Sequence, residues 1–123
     1  MLRFVTFEDE AGRATGFEAS GHAGDAAKGG NLSCAAASAL IQTLVSGFSC
    51  ELGLDLDLKT GVGGYLACRV IGRPEPDVQD RIELLLRVVG RGLETIAEMD
   101  KTKSTVVRSE RRREVTRSMD NGI

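Results

Sequence analysis

The chain has 123 residues, a formal net charge of −2, and few aromatics: four Phe, one Tyr and no Trp. That length fits one domain with a real core, and so few aromatic rings leave little surface for stacking bases. From Lys101 onward seven basic residues stand against three acidic ones, so the first hundred residues are acidic and a poor nucleic-acid platform.

Three cysteines, Cys34, Cys50 and Cys68, accompany a single histidine, His22. There is no CxxC pair, so a zinc site with ordinary ligand spacing is disfavoured, and neither metal nor cofactor is expected. The odd cysteine count, together with a start (MLRFVTFEDE) that does not read as a signal peptide, points to the reducing cytoplasm. The run from Gly29 to Cys50 carries no charge, yet it holds too much Gly, Ser, Asn and Gln for a membrane span. It is expected to be a buried central helix, and no membrane partner is expected.

In chain order, Leu2–Phe7 favours a strand through Phe4, Val5 and Phe7, and residues 8–12 form a turn. Thr15–Ser20 returns as a second strand with Phe17 and Ala19 on one face, a hairpin that delivers His22 to its end. A helix is expected from Cys34 to about Leu52, with Ser33 as its N-cap. Leu54–Lys59 alternates strictly, Leu54, Leu56 and Leu58 against Asp55, Asp57 and Lys59, which predicts a half-buried strand. After a turn at Gly61–Gly64, Tyr65–Ile71 forms the second hairpin with Leu66, Cys68 and Val70 inward. The segment 72–77 starts a helix whose apolar residues, from Val78 to Ile96, recur at spacings of three and four. Gly90 and Gly92 weaken it locally. Thr105–Arg108 is the last predicted strand, and residues 109–123 read as a basic, polar C-terminal tail, solvated or in a short surface helix. The predicted fold is α/β in the α+β sense: two β-hairpins and a last strand in one sheet, packed with two main helices, in a single domain.

One stretch proposes chemistry: GHAGDAAKGGNLSCAAASAL, from Gly21 to Leu40. Cys34 in a first helical turn meets free N–H groups and the positive end of the helix dipole, which favour a thiolate. His22, across a loop containing Gly24, Gly29 and Gly30, could fold back as its base. Packing is the competing explanation, because cysteine often serves as a small buried hydrophobe; Cys50 and Cys68 have only that reading. Ser38, one turn after Cys34 on the same face, either hydrogen-bonds near the thiol or fits a tight helix–sheet contact. The loop lacks the GK[ST] ending of a P-loop, so its glycines suit a lid over an extended peptide better than a phosphate cradle.

GHAG, a short loop and CAAASAL resemble the signature of Prp, the ribosomal-processing cysteine protease family (YsxB-like proteins), and the likeness runs over about residues 1–108. The resemblance implies a Prp-like protease domain over 1–108 followed by the tail 109–123. It also implies a cysteine endopeptidase that removes the N-terminal extension of a large-subunit ribosomal protein beside an aromatic residue. His22 and Cys34 would form the catalytic dyad, and the chain would be a homodimer. The N–H groups around Cys34 and Ala35 at the helix start would serve as oxyanion donors. Two positions depart from the family pattern: Asn31 stands where an acidic residue is usual, and Asp25 where a bulky one is usual. An amide can orient a histidine without supplying charge, and Asp25 is a candidate substitute. The rival readings are a non-catalytic ribosome-assembly factor of the same fold and a thiol hydrolase acting on small amides; direct nucleic-acid binding is disfavoured.

Overall fold

The computed structural model describes residues 1–21, 32–100 and 107–115. Strands β1 (Leu2–Glu8) and β2 (Ala14–Gly21) make the first hairpin, with Phe4 opposite Ala19 and Thr6 opposite Phe17. Asp9 closes its turn by accepting the N–H groups of Ala11 and Arg13, both at 2.9 Å. Helix α1 (Leu32–Ser46) runs into a π-helical turn, Gly47–Glu51. Strands β3 (Leu56–Gly61) and β4 (Tyr65–Val70) form the second hairpin, followed by α2 (Pro76–Met99) and β5 (Val107–Arg113). The strand order is β3-β4-β2-β1-β5, antiparallel throughout except for the parallel pair β1 and β5. The result is one five-stranded mixed sheet with two helices, an α+β domain as expected.

The two helices share one core with the same face of the sheet, where Phe4, Phe17, Ala19 and Cys68 meet Ile41, Leu44, Phe48, Ile82, Leu86 and Leu93. Gly92 lies where the helices meet, and a Cβ there would come 2.8 Å from Leu40 Cδ1, the end of a side chain that can turn aside. Val5 and Phe7 point to the opposite face, yet both are fully buried. The Arg69 guanidinium lies 4.2 Å from the Phe7 ring centroid, and Arg69 also pairs with Glu114 at 2.7 Å, so charged side chains roof this face.

Several sequence expectations need correction. The chain is already helical at Leu32, so Ser33 lies inside α1 and is not its N-cap. The helix is not buried all round: Ala37, Ile41, Leu44 and Phe48 face the core, while Ser38, Gln42, Thr43, Ser46 and Cys50 are exposed. By length and composition Leu32–Glu51, with mean hydropathy 1.4, could cross a bilayer, but here Ile41, Leu44 and Phe48 pack into the core. Cys50, expected in the core, is exposed: it follows the exposed Ser46 by four residues and the buried Phe48 by two, which places it on the outer face. The alternating strand sits two residues later than predicted, at the sheet edge, which leaves Leu58 half exposed. Finally, β5 extends to Arg113, so residues 109–113 of the stretch read as a tail form a strand. Its side chains supply the reason: Arg111 pairs with Glu8 and Glu83, Arg113 with Glu8, and Arg3 on β1 with Glu110.

Glu83 ties three elements together. It accepts the Ala14 N–H at 2.7 Å, the Gln79 amide at 3.2 Å and the Arg111 guanidinium at 3.2 Å. Burial alone would raise its pKa, but the Ala14 N–H, Arg111 and Gln79 outweigh burial and hold the carboxyl below its ordinary value of 4.5. Such a group contributes stability that is complete above the unfolded value and disappears as pH falls through the lowered folded value. Glu83→Gln is therefore expected to cost about 1–2 kcal/mol at pH 7. Urea denaturation at stepped pH should show the gap from wild type closing as pH falls below the ordinary carboxyl value of 4.5. A gap independent of pH would show that the carboxylate charge contributes nothing.

Candidate active site

Strand β2 ends at Gly21, beside the head of α1, because the hairpin register places Gly21 opposite Leu2 at the sheet's end. Cys34, the third described residue of α1, and Gly21 both line one cavity of about 330 Å³. Its buried members, Leu2 and Ala19 from the sheet and Ala37 and Ile41 from α1, make an apolar floor. The exposed members Ser38, Gln42, Thr60 and Gly64 form the rim. Cys34, Ser38 and Gln42 succeed one another at one-turn intervals, so one stripe of α1 carries the thiol and two neutral hydrogen-bonding groups. Ser38 is exposed on this rim, which excludes the alternative that it fills a tight helix–sheet contact.

No Asp, Glu, Lys or Arg is among the described residues that line the cavity. The described apolar floor would gain from covering an apolar side chain. Tyr65 completes the wall, and its hydroxyl donates to Glu18 Oε1 at 3.1 Å. Burial and the Glu18 carboxylate both push the phenol upward, so it stays protonated. Thr60, Gly64, Tyr65 and Gln42 were not anticipated as site residues. The only hint in the sequence was a lone tyrosine directly after a glycine pair, a signal that means nothing until the second hairpin is placed beside α1.

His22, Gly24, Asp25, Gly29, Gly30 and Asn31 lie outside the described residues. What the structure does place is the chain on either side of them, since Gly21 precedes His22 and both Gly21 and Cys34 line the cavity. The Ala35 backbone follows Cys34 in the same helical turn. Of the other thiols, Cys68 is wholly buried, and burial, helped by the Asp57 charge, pushes it up to about 11. It is a neutral core group. A larger groove of about 450 Å³ runs between α2 and β5, but its described lining holds no thiol, and its Glu and Arg residues are equal in number.

A cysteine at a helix head, opening on a neutral groove beside a sheet, is the layout of a thiol-dependent hydrolase. A family model described as cysteine protease Prp matches residues 1–105, and the chain belongs to that family of cysteine proteases. No curated protein sequence matches significantly. Among solved structures the fold is similar to SMU.848 from Streptococcus mutans, with TM-score 0.67 and 22% identity over 93% of this chain and 96% of that one. It is also similar to an essential ribosomal processing protease Prp from S. aureus in complex with a covalently linked product peptide. There the TM-score is 0.65 and the identity 22%, over 91% of this chain and 100% of the other. The same S. aureus protease in complex with a substrate peptide gives TM-score 0.61 and 20% identity, covering 94% and 100%.

Proposed function

We propose that this chain is an endopeptidase that removes the N-terminal extension of a large-subunit ribosomal protein, with Cys34 as nucleophile and His22 as base. The observation that carries the reading is the shared cavity. Cys34 and the residue directly before His22 line the same neutral groove. Family membership and the peptide complexes of the S. aureus protease support it. In this reading His22 takes the Cys34 proton and the sulfur attacks the scissile carbonyl carbon. The resulting oxyanion is held by the N–H groups of Cys34 and Ala35 at the head of α1. His22 then returns the proton to the leaving amine, and water hydrolyses the thioester to free Cys34. Asn31 orients the imidazole, with Asp25 as the nearest carboxylate in sequence, and Ser38 hydrogen-bonds at the rim beside the thiol. An extended peptide would bind along the exposed edge of β3, next to Thr60, through main-chain hydrogen bonds. The apolar floor would take an aromatic side chain next to the scissile bond. The proposal includes a homodimer acting in the cytoplasm.

The test is to mix the chain with the large-subunit ribosomal protein precursor of the same organism and read intact mass, running Cys34→Ser alongside. Loss of a short N-terminal piece with wild type only is the expected outcome. A precursor that carries an extension and stays whole would overturn the protease reading in favour of an assembly factor.

A further inference from the structure

Gly21 lines the cavity and is held by backbone from β1 and from the β3–β4 turn. Its N–H donates to the Gly63 carbonyl of the β3–β4 turn at 3.2 Å. A Cβ on Gly21 would lie 2.1 Å from the Met1 carbonyl oxygen, so no side chain fits there. Its own carbonyl faces Gly64, where an added Cβ would come within 3.0 Å of the Gly21 oxygen. That oxygen is not an isolated atom. It shares one rigid peptide plane with the nitrogen and Cα of His22. A push on the Gly21 oxygen therefore turns the plane from which His22 departs.

We propose that the Gly63–Gly64 turn is a positioning element for catalysis: it fixes the Gly21–His22 peptide plane from a hairpin some forty residues downstream in the chain. The proposal rests on the dyad reading above. Gly63 and Gly64 divide the task. Gly63 offers its carbonyl to the Gly21 N–H, and Gly64 leaves room for the Gly21 carbonyl. The same turn leads into Tyr65, whose hydroxyl is tied to Glu18 on the neighbouring β2.

The two glycines supply their own control. Both have left-handed backbones, φ +72° and +73°, so alanine is strained equally at either position. A Cβ on Gly63 meets nothing within 4 Å, whereas one on Gly64 presses on the Gly21 oxygen. Wild type, Gly63→Ala and Gly64→Ala would be compared on a peptide spanning the extension of the ribosomal protein, with thermal midpoints measured in parallel. Expected is a kcat for Gly64→Ala about ten- to a hundred-fold below that of Gly63→Ala, with KM and midpoint matched between them. Equal kcat values in the two variants, with an active wild type, overturn the positioning role alone. A wild type that neither cuts the peptide nor shows His22-dependent labelling of Cys34 overturns the dyad reading and this proposal with it. Should alanine at position 64 fail to fold, Gly63→Asn and Gly64→Asn make the same comparison, because asparagine tolerates the left-handed region.

Discussion

On the proposed dyad, His22→Ala will cut the ribosomal-protein precursor about 10²–10⁴-fold more slowly than wild type, the usual contribution of a positioned general base. It will also reduce alkylation of Cys34 at neutral pH to the rate of an ordinary surface thiol. The molecule contains the comparators this measurement needs. Cys50 is exposed and reports the rate of an unassisted thiol. Cys68 is fully buried and held as a protonated thiol, so it reports unfolding. Site-resolved mass spectrometry after a brief iodoacetamide pulse should therefore rank Cys34 above Cys50 above Cys68 in wild type. In His22→Ala, Cys34 and Cys50 should converge. A Cys34 that reacts like Cys50 already in wild type would remove the dyad. Unchanged cleavage in His22→Ala would assign the base to another group.

The largest loss of stability is expected at Phe17. Phe17→Ala should lower folding stability by about 3–5 kcal/mol, a large part of the 5–15 kcal/mol typical of a domain. Phe17 is fully buried at the middle of the sheet. Its ring centroid lies 5.6 Å from that of Phe4 on β1 and 6.1 Å, edge on, from that of Phe48 in the turn that ends α1. Three of the four phenylalanines thus form one cluster, and Phe17 is the ring that touches both others. Truncation removes the transfer energy of a ring and leaves a cavity between elements that cannot collapse independently. Phe17→Leu keeps most of the volume and should cost under about 1.5 kcal/mol. Urea unfolding of the three proteins checks this. A Phe17→Ala midpoint close to that of Phe17→Leu would mean that the site collapses around the smaller side chain.

The division between legible and illegible features follows the range of the interactions. Where structure depends on neighbours a few residues apart, the sequence was sufficient. The alternation at Phe17 and Ala19, the three-and-four spacing from Val78 to Ile96, Pro76 at the first helical position and the turn before Tyr65 are local patterns, and the elements lie where those patterns put them. The motif from Gly21 to Cys34 pointed to the site and the family for the same reason, since its residues are close in the chain. Strand order was different. LDLDLK shows which side chains share a face but not that the strand is an edge, and SERRR, residues 109–113, looks like a solvated tail until Glu8, Glu83 and β1 are brought beside it. Burial of Phe7 beneath Arg69 likewise depends on a partner far away in sequence. Most of all, Thr60, Gly64 and Tyr65 join Cys34 around the cavity, and Gly64 comes beside the Gly21 carbonyl only when two hairpins pair edge to edge. Local periodicity determined the elements, and a local motif singled out Cys34 as the candidate nucleophile. Long-range pairing, in which backbone meets backbone without regard to side-chain identity, decided the shape of the groove around it.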